Sequence, residues 1–353
     1  MIFPGYTFDG KDSCYRGEDP SNGGYVYSEP GVYENVGLLD VASLHPTTIE
    51  ILNLFGPYTK NYSALKEARL AIKHKEYDKA RTLLNGKMKP FLEGAEDDPA
   101  GAEALSYALK IVINIVYGLT SAKFPNAFKD NRNKDNIVAK RGALFMIDLK
   151  HAVQEQGWTV AHIKTDSIKI PDITPEIVDF VFAFGKKYGY DFENEATYDK
   201  FCLVNDAVYI ARQGNKWTAV GAQFQHPYVF KTLFTKEPLE FDDFCETKSV
   251  TQGVMFLDFD DDSSLRKTQE YQHVGRTGSF VPVVHGGGTL WRIKEDKKYA
   301  VTGTKGYRWI ERETAIAREA KDELEIDMSY FENLASKAEE AIEFYGSFKS
   351  FVA

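Results

Sequence analysis

Two aspartates and a row of cations are the residues here that can do chemistry together. Asp40 closes the run NVGLLDV (35–41), and Asp166 sits in KTDS (164–167) between two short apolar runs with strand-like alternation. If both strands belong to one sheet, two carboxylates distant in sequence can hold two Mg²⁺ ions about 3.5–4 Å apart. That arrangement serves in-line phosphoryl displacement. Between them, LKIVINIVYGL (109–119) places Lys110, Asn114 and Tyr117 at i, i+4 and i+7. These share one stripe of a helix otherwise made of Ile, Val and Leu. Arg69 and Lys73 form a second i, i+4 pair upstream. If the two helices pack antiparallel, three cations converge, which suits a polyphosphate. Taken singly, each feature has a plainer reading: KTDS is a solvated turn, and Arg69 and Lys73 are a solvated helix face. Only the combination points to phosphoryl transfer.

The elements that must position these residues are legible in outline. Residues 1–35 carry turn signals such as Asp19-Pro20 and Gly23-Gly24 and read as a lead-in, part strand. A buried strand ends at Asp40, and Pro46 opens a helix through Leu54. A helix from 63 to 84 starts at Ser63 and stops before Asn85-Gly86. A second begins at the Asp98-Pro99 cap and runs to about Lys123, so the pair forms a helical hairpin. A third helix spans roughly 135–156, from Asp135 as cap to Gly157 as stop. WTVAHI and SIKIP flank KTDS as strands, and Thr174-Pro175 caps a helix ending near Gly189. FCLVNDAVYIA and KWTAVGAQF form strands around the Gly214-Asn215 turn. This order predicts an α+β fold, an antiparallel sheet with helices on one face. Residues 235–353 read as a separate unit with a β ribbon (289–303) and a final helix (313–345).

At this point the residues carry a resemblance. The chain resembles the polymerase part of a family B DNA polymerase, most closely a compact phage-type version. LLDVASLHPTTIE (38–50) is similar to that family's motif A, Asp-x-x-Ser-Leu-Tyr-Pro-Ser-Ile. LKIVINIVYG resembles motif B, Lys-x-x-x-Asn-x-x-Tyr-Gly, and IKTDSIKI resembles motif C, Asp-Thr-Asp-Ser between strands. SNGGYVYSEPG (21–31) is similar to the Gly-Gly element leading into the palm. The likeness covers about residues 21–235, with the motifs in the family's order.

The resemblance implies a right-hand polymerase. Its antiparallel palm would comprise a lead-in and first part (1–60) and a remainder (123–235), with helical-hairpin fingers (61–122) and a mixed thumb-like C-terminal domain (236–353). It implies a primer 3′-hydroxyl attacking the α-phosphate of a dNTP on a DNA template, with release of pyrophosphate. Asp40 and Asp166 would be the ligands of two Mg²⁺ ions, with Mn²⁺ as a substitute. Ser43, Leu44 and His45 would lie near metal, triphosphate and sugar, and Arg69, Lys73 and Lys110 would grip the phosphates. Asn114 and Tyr117 would face the nascent pair, and Gly118 would let the template strand approach.

Several positions depart from the family pattern. Lys164 stands in place of motif C's first Asp, where it would pair with a carboxylate or touch the primer backbone. His45 replaces a tyrosine that excludes the ribose 2′-hydroxyl, and imidazole is smaller. Asn205 and Asp206 occupy positions where the family has cations, so duplex grip falls to Lys231, Lys236, Arg276, Lys305 or Arg308. Only 69 residues separate Asp40 from Lys110 and 51 separate Asn114 from Asp166, leaving little room for the large insertions of protein-primed relatives. The short stretch before Asp40 suggests half of a split polymerase, or a polymerase part trimmed from a longer chain, with a separate exonuclease chain as a partner. Two other readings stay open: a catalytically impaired primer–template binding subunit, motivated by Lys164, and an RNA-synthesising palm enzyme, motivated by His45.

Bulk composition bounds these readings. The 353 residues suffice for two or three cooperating subdomains. A net charge of -9 argues against a surface that binds nucleic acid everywhere, but charge is uneven. Residues 123–141 hold six Lys/Arg against two Asp, whereas 318–343 hold nine Asp/Glu against three Lys/Arg, so a local basic groove fits. Three scattered cysteines (Cys14, Cys202, Cys245) argue against a disulfide framework or a zinc site. No apolar run reaches the roughly 20 residues that span a bilayer, so no membrane partner is expected. The N-terminus lacks a signal-peptide pattern, and the expected site is the cytoplasm, that of the host cell for a viral chain. DFDDD (258–262) lacks the Gly turn and distal Glu of a calcium loop and reads as an acidic loop. VVHGGGTL (283–290) lacks a following Lys-Ser/Thr and reads as a turn.

Overall fold

The computed structural model describes residues 3–7, 13–130, 133, 136–258, 272–295, 297–301, 306–310 and 324–353. The chain divides into two compact units, Met1–Asp206 and Ala207–Ala353. Asp135, Lys305, most of DFDDD and the start of the 313–345 helix lie outside the described residues.

The first unit is built on strands β1 (Val26–Ser28), β2 (Gly31–Val41), β3 (His162–Lys164), β4 (Ser167–Ile170) and β5 (Phe192–Asn205). They lie in the order β1-β3-β4-β2-β5, every neighbouring pair antiparallel. The pleat sorts β2 cleanly. Leu39 and Val41 are fully buried on the core face with Ile168 and Ile170 of β4, so Asp40 between them points to the other face. Two helices cover the core face, α5 (Ile137–Glu155) and α6 (Pro175–Tyr188), through Leu144, Phe145, Ile147, Ile177 and Val181. This is the α+β arrangement that the order of elements predicts.

Between β2 and α5 come the helices α1 (Leu44–Leu52), α2 (Thr59–Lys73), α3 (Tyr77–Thr82) and α4 (Pro99–Thr120). Asp98 caps α4 as expected, its side chain accepting from the Gly101 N–H at 2.9 Å. The expected 63–84 helix is broken: α2 starts earlier and stops at Lys73. Lys75 takes a left-handed φ of 62°, which no helix interior tolerates, and α3 restarts after it. Two hydrogen bonds fix α2 against α4. The Tyr62 hydroxyl donates to the Ile113 carbonyl and the Ser106 hydroxyl to the Arg69 carbonyl. Residues advance along one helix as they recede along the other, so the pair is antiparallel. Ala68, Ala71 and Ala102 let the two helices close on one another, and Ile72 and Leu92 complete the same buried cluster.

The second unit opens with the hairpin β6 (Val208–Gln213) and β7 (Lys216–Val220), turning at Gly214 with φ 57°. Its further strands form two antiparallel sheets. β8 (Glu246–Ser249), β11 (Thr277–Pro282) and β14 (Tyr307–Ile310) make one. β9 (Val254–Asp258), β10 (Gln272–Gly275), β12 (Thr289–Lys294) and β13 (Lys297–Ala300) make the other. The expected 313–345 helix is corrected within the described residues. Ile326 makes an antiparallel bridge with Val283, and the helix begins only after the Asp327 cap, over Met328–Glu343.

Candidate active site

Strand pairing brings the two aspartates together. Asp40 lies opposite Ser167 in the β2–β4 ladder, and the Val41 N–H donates to the Asp166 carbonyl at 2.8 Å. Asp166 is the second residue of the two-residue turn between β3 and β4, after Thr165 with φ 59°. The tip is pinned from outside the hairpin, because the Thr165 N–H donates to the Tyr25 carbonyl at 2.9 Å. Gly24 makes this approach feasible: its φ is +134°, and a β-carbon there would lie 2.9 Å from Thr165 Oγ1.

Both carboxylates line a cavity of about 210 Å³ together with Ser43, Leu44, His45, Arg69, Lys73, Lys110 and Asn114. Nine of the residues singled out in the sequence therefore meet in one place. Tyr117 joins them through a stack on His45, ring centroids 4.7 Å apart and planes 7° from parallel. Its hydroxyl donates to Asn136, whose amide donates to the Asn22 carbonyl in the Gly-Gly lead-in. Gly118 is exposed on α4, and Lys164 is exposed at the end of β3 opposite Val26. Lys231 and Arg276 belong to the second unit. There Lys231 pairs with Asp243 at 2.9 Å, and Arg276 is exposed.

Three residues that the sequence reading did not single out belong to the surroundings of this site. Glu193 faces Asp40 across the β2–β5 ladder. The register slips between Leu38 and Leu39, leaving Glu195 as the extra residue of a β-bulge, and both glutamates line the cavity. FENEATYDK is too charged to read as a strand, which hid them. The third is Lys169 on β4, opposite Leu38 and nearly fully buried. Its ammonium contacts Nδ1 of His162, and His162 Nε2 meets the Asp206 carbonyl at 3.2 Å. A carbonyl only accepts and an ammonium only donates, so His162 carries its proton on Nε2 and is neutral. Burial and the Lys169 charge push His162 down to about 4, in keeping with a structural imidazole.

The electrostatics mark a site short of positive charge at its centre. Burial, then Asp166 and Glu195, push Asp40 up to about 8 despite Lys73. Burial and Glu195 also raise Asp166, against its backbone hydrogen bond and Lys110. Buried carboxylates facing one another without a bound cation resist ionisation. Their all-oxygen donor set fits a hard divalent ion. Among the described residues no group of three or more His, Cys, Asp or Glu side chains forms a closed metal cage. That suits Mg²⁺, which takes one or two carboxylates and completes its shell with water and substrate phosphate. Arg69 donates to the Ser43 hydroxyl at 2.9 Å, while its Nε is buried with no hydrogen-bond partner. Ser43 itself is left-handed, φ 60°, and caps α1 without a side-chain bond. In the first turn of α1 Pro46 has no N–H and the Thr47 N–H donates to the Ser43 carbonyl at 2.9 Å. That leaves the Leu44 and His45 N–H groups without an intrahelical acceptor.

Comparison with known proteins adds little. No family model matches the chain, and no curated protein matches it. Among solved structures, it is similar to the family B DNA polymerase from the hyperthermophilic archaeon Pyrobaculum calidifontis, with a TM-score of 0.47 and 15% identity. That match covers 89% of this chain and 46% of the other, so this chain spans about half of the neighbour's length.

Proposed function

We propose that the chain is the catalytic core of a template-directed DNA polymerase, adding dNTPs to a primer 3′-hydroxyl and releasing pyrophosphate. One observation carries this reading: Asp40 and Asp166 line a single cavity with Arg69, Lys73 and Lys110. In the reaction the primer 3′-hydroxyl loses its proton to solvent and its oxygen bonds to the α-phosphorus. The bond from that phosphorus to the oxygen bridging it to the β-phosphate breaks, and pyrophosphate leaves with that oxygen and the bonding electron pair. Arg69, Lys73 and Lys110 neutralise the triphosphate, and Arg69 Nε finds in it the acceptor it otherwise lacks. The Leu44 and His45 N–H groups at the start of α1 offer further donors to the same anion. The stacked His45 and Tyr117 wall the pocket beside sugar and base, with Asn114 on the same helix stripe. Asp40 and Asp166 would hold Mg²⁺ or Mn²⁺, which when bound supplies Lewis-acid neutralisation of the transferring phosphoryl group.

In this reading residues 1–60 and 123–235 form a palm, 61–122 the fingers and 236–353 a thumb-like domain. The partners are primer–template DNA, dNTPs and a separate exonuclease chain, in the cytoplasm of a cell or viral host. Gly118 and Lys164 meet DNA near the site, and Lys231 and Arg276 grip the duplex.

Primer extension with Mg²⁺ tests the reading. The wild-type chain extends a primer, and Asp40→Ala and Asp166→Ala each lose about a thousandfold or more in rate. Duplex binding without incorporation by the wild-type chain would instead establish a binding subunit. Robust synthesis by Asp166→Ala would remove the site assignment.

A further inference from the structure

We propose that Glu193 is a positioning residue that holds Lys73 and His74 while the cavity is empty, and that an incoming polyphosphate takes Lys73 from it. The inference rests on the nucleotide reading of the cavity and adds a step to it.

Glu193 uses both carboxylate oxygens. Oε2 meets Lys73 Nζ at 2.7 Å and Oε1 meets His74 Nε2 at 3.2 Å, while Glu195 approaches Lys73 at 3.7 Å. Lys73 is the last residue of α2 and His74 its C-terminal cap, so one carboxylate on β5 ties down the end of that helix. One turn earlier, Arg69 reaches Ser43 and keeps a buried Nε–H without an acceptor. A buried donor left unmet is destabilising, so the cavity is arranged for an anion that it does not supply itself.

Charge explains why the contact must exchange. Four carboxyl groups line the cavity (Asp40, Asp166, Glu193 and Glu195) with three cations, and of these Lys73 is paired with Glu193 and Glu195. An incoming polyanion meets the Lys73 ammonium only if that group leaves Glu193 for it. Lys73 swaps one oxyanion for another and is never left uncompensated, and the swap releases Glu193 to solvent at the cavity mouth. A single phosphate gains little, because it replaces one ion pair with another. A triphosphate long enough to meet Arg69 and Lys110 as well gains two further contacts. The contacts to Arg69 and Lys110, not Glu193, favour polyphosphate over monophosphate, and Glu193 weakens the binding of both.

The test uses inorganic tripolyphosphate, without metal or DNA, followed by isothermal titration calorimetry. Glu193→Gln should bind it roughly three- to fivefold tighter than the wild-type chain, the size expected of a half-exposed ion pair. Binding of inorganic phosphate should gain by the same factor, because Glu193 competes with either anion for Lys73, and a gain confined to one anion overturns the proposal. Unchanged or weaker tripolyphosphate binding overturns the proposal. A second measurement needs no variant: in the wild-type chain, the His74 ring resonances should shift as tripolyphosphate saturates the site. Their constancy at saturation overturns it as well. In primer extension the KM for dNTP should fall by the same factor in Glu193→Gln, and a rise would count against it. Because exchange is read without DNA, intact exchange with no synthesis would remove the polymerase reading and leave this one. Synthesis with a flat tripolyphosphate response would do the reverse.

Discussion

Thr165 rests directly on the bare α-carbon of Gly24, and the contact sets where Asp166 points. A β-carbon on Gly24 would sit 2.9–3.2 Å from three Thr165 side-chain atoms, and φ +134° is a conformation that side-chain-bearing residues rarely adopt. Gly24→Ala should therefore push the hairpin tip outward. We expect at least about a tenfold loss of primer extension with a stability loss of about 1–3 kcal/mol. Thermal unfolding and extension rates, measured together, separate the two effects. Partial rescue by Thr165→Ala in the same chain would locate the damage at this contact, and wild-type activity in Gly24→Ala would contradict it.

Metal binding has its own signature. With no cation bound, Asp40 and Asp166 oppose one another's ionisation, so Asp40→Asn should stabilise the metal-free protein by about 1 kcal/mol or more. Millimolar Mg²⁺ should raise the melting temperature of the wild-type chain and leave that of Asp40→Asn unmoved. Equal Mg²⁺ responses in the two proteins would place the metal elsewhere.

His45 stacks on Tyr117 and lines the cavity where the family resemblance places a ribose-excluding tyrosine. Imidazole leaves more room than a phenol. His45→Tyr should raise the preference for dNTP over NTP by about tenfold or more, measured as the ratio of kcat/KM values. An unchanged ratio would mean that the sugar lies against a different wall.

Acid stability should depend on the second unit. Burial raises Glu246, but the effect is outweighed by His226, 3.5 Å away, Lys248 at 2.6 Å, the Tyr330 hydroxyl and the Tyr307 hydroxyl at 2.8 Å. Its carboxyl is held far below the ordinary range. A depressed folded pKa adds stability that is fully present above the unfolded carboxyl's value of about 4.3 and is lost as pH falls below it. Glu246→Gln should cost about 2–3 kcal/mol at pH 7 and progressively less toward pH 3. Denaturant melts at several pH values test this, and a cost independent of pH would show that packing, not charge, is responsible.

Glu18 repeats the pattern in the first unit. Burial raises it, but hydrogen bonds from Lys150, Tyr25 and His151 outweigh that and lower its pKa. Glu18→Gln should accordingly destabilise the chain more at pH 7 than at pH 4, read from the same melts.

Local chemistry was enough to place much of this protein. Asp98-Pro99 and Thr174-Pro175 start helices because a capping oxygen followed by proline satisfies or removes the N–H groups that a helix start leaves open. Gly214 turns a hairpin because it reaches positive φ without a β-carbon. The stripe of Lys110, Asn114 and Tyr117 needed only the helical repeat. Other features depend on contacts between segments far apart in sequence. Lys75 leaves the helix although its neighbours favour one, and Ser43 is left-handed where the chain turns from β2 into α1. The charged stretch 193–200 becomes a strand because the edge of β2 offers it backbone partners, and a bulge then turns Glu195 into the cavity. Composition and spacing named Asp40, Asp166 and the three cations. That Lys73 is already held by Glu193, and that Lys169 lies buried on the same strand pair as Asp40, was decided only when the sheet closed, since pairing register and burial belong to the folded chain as a whole.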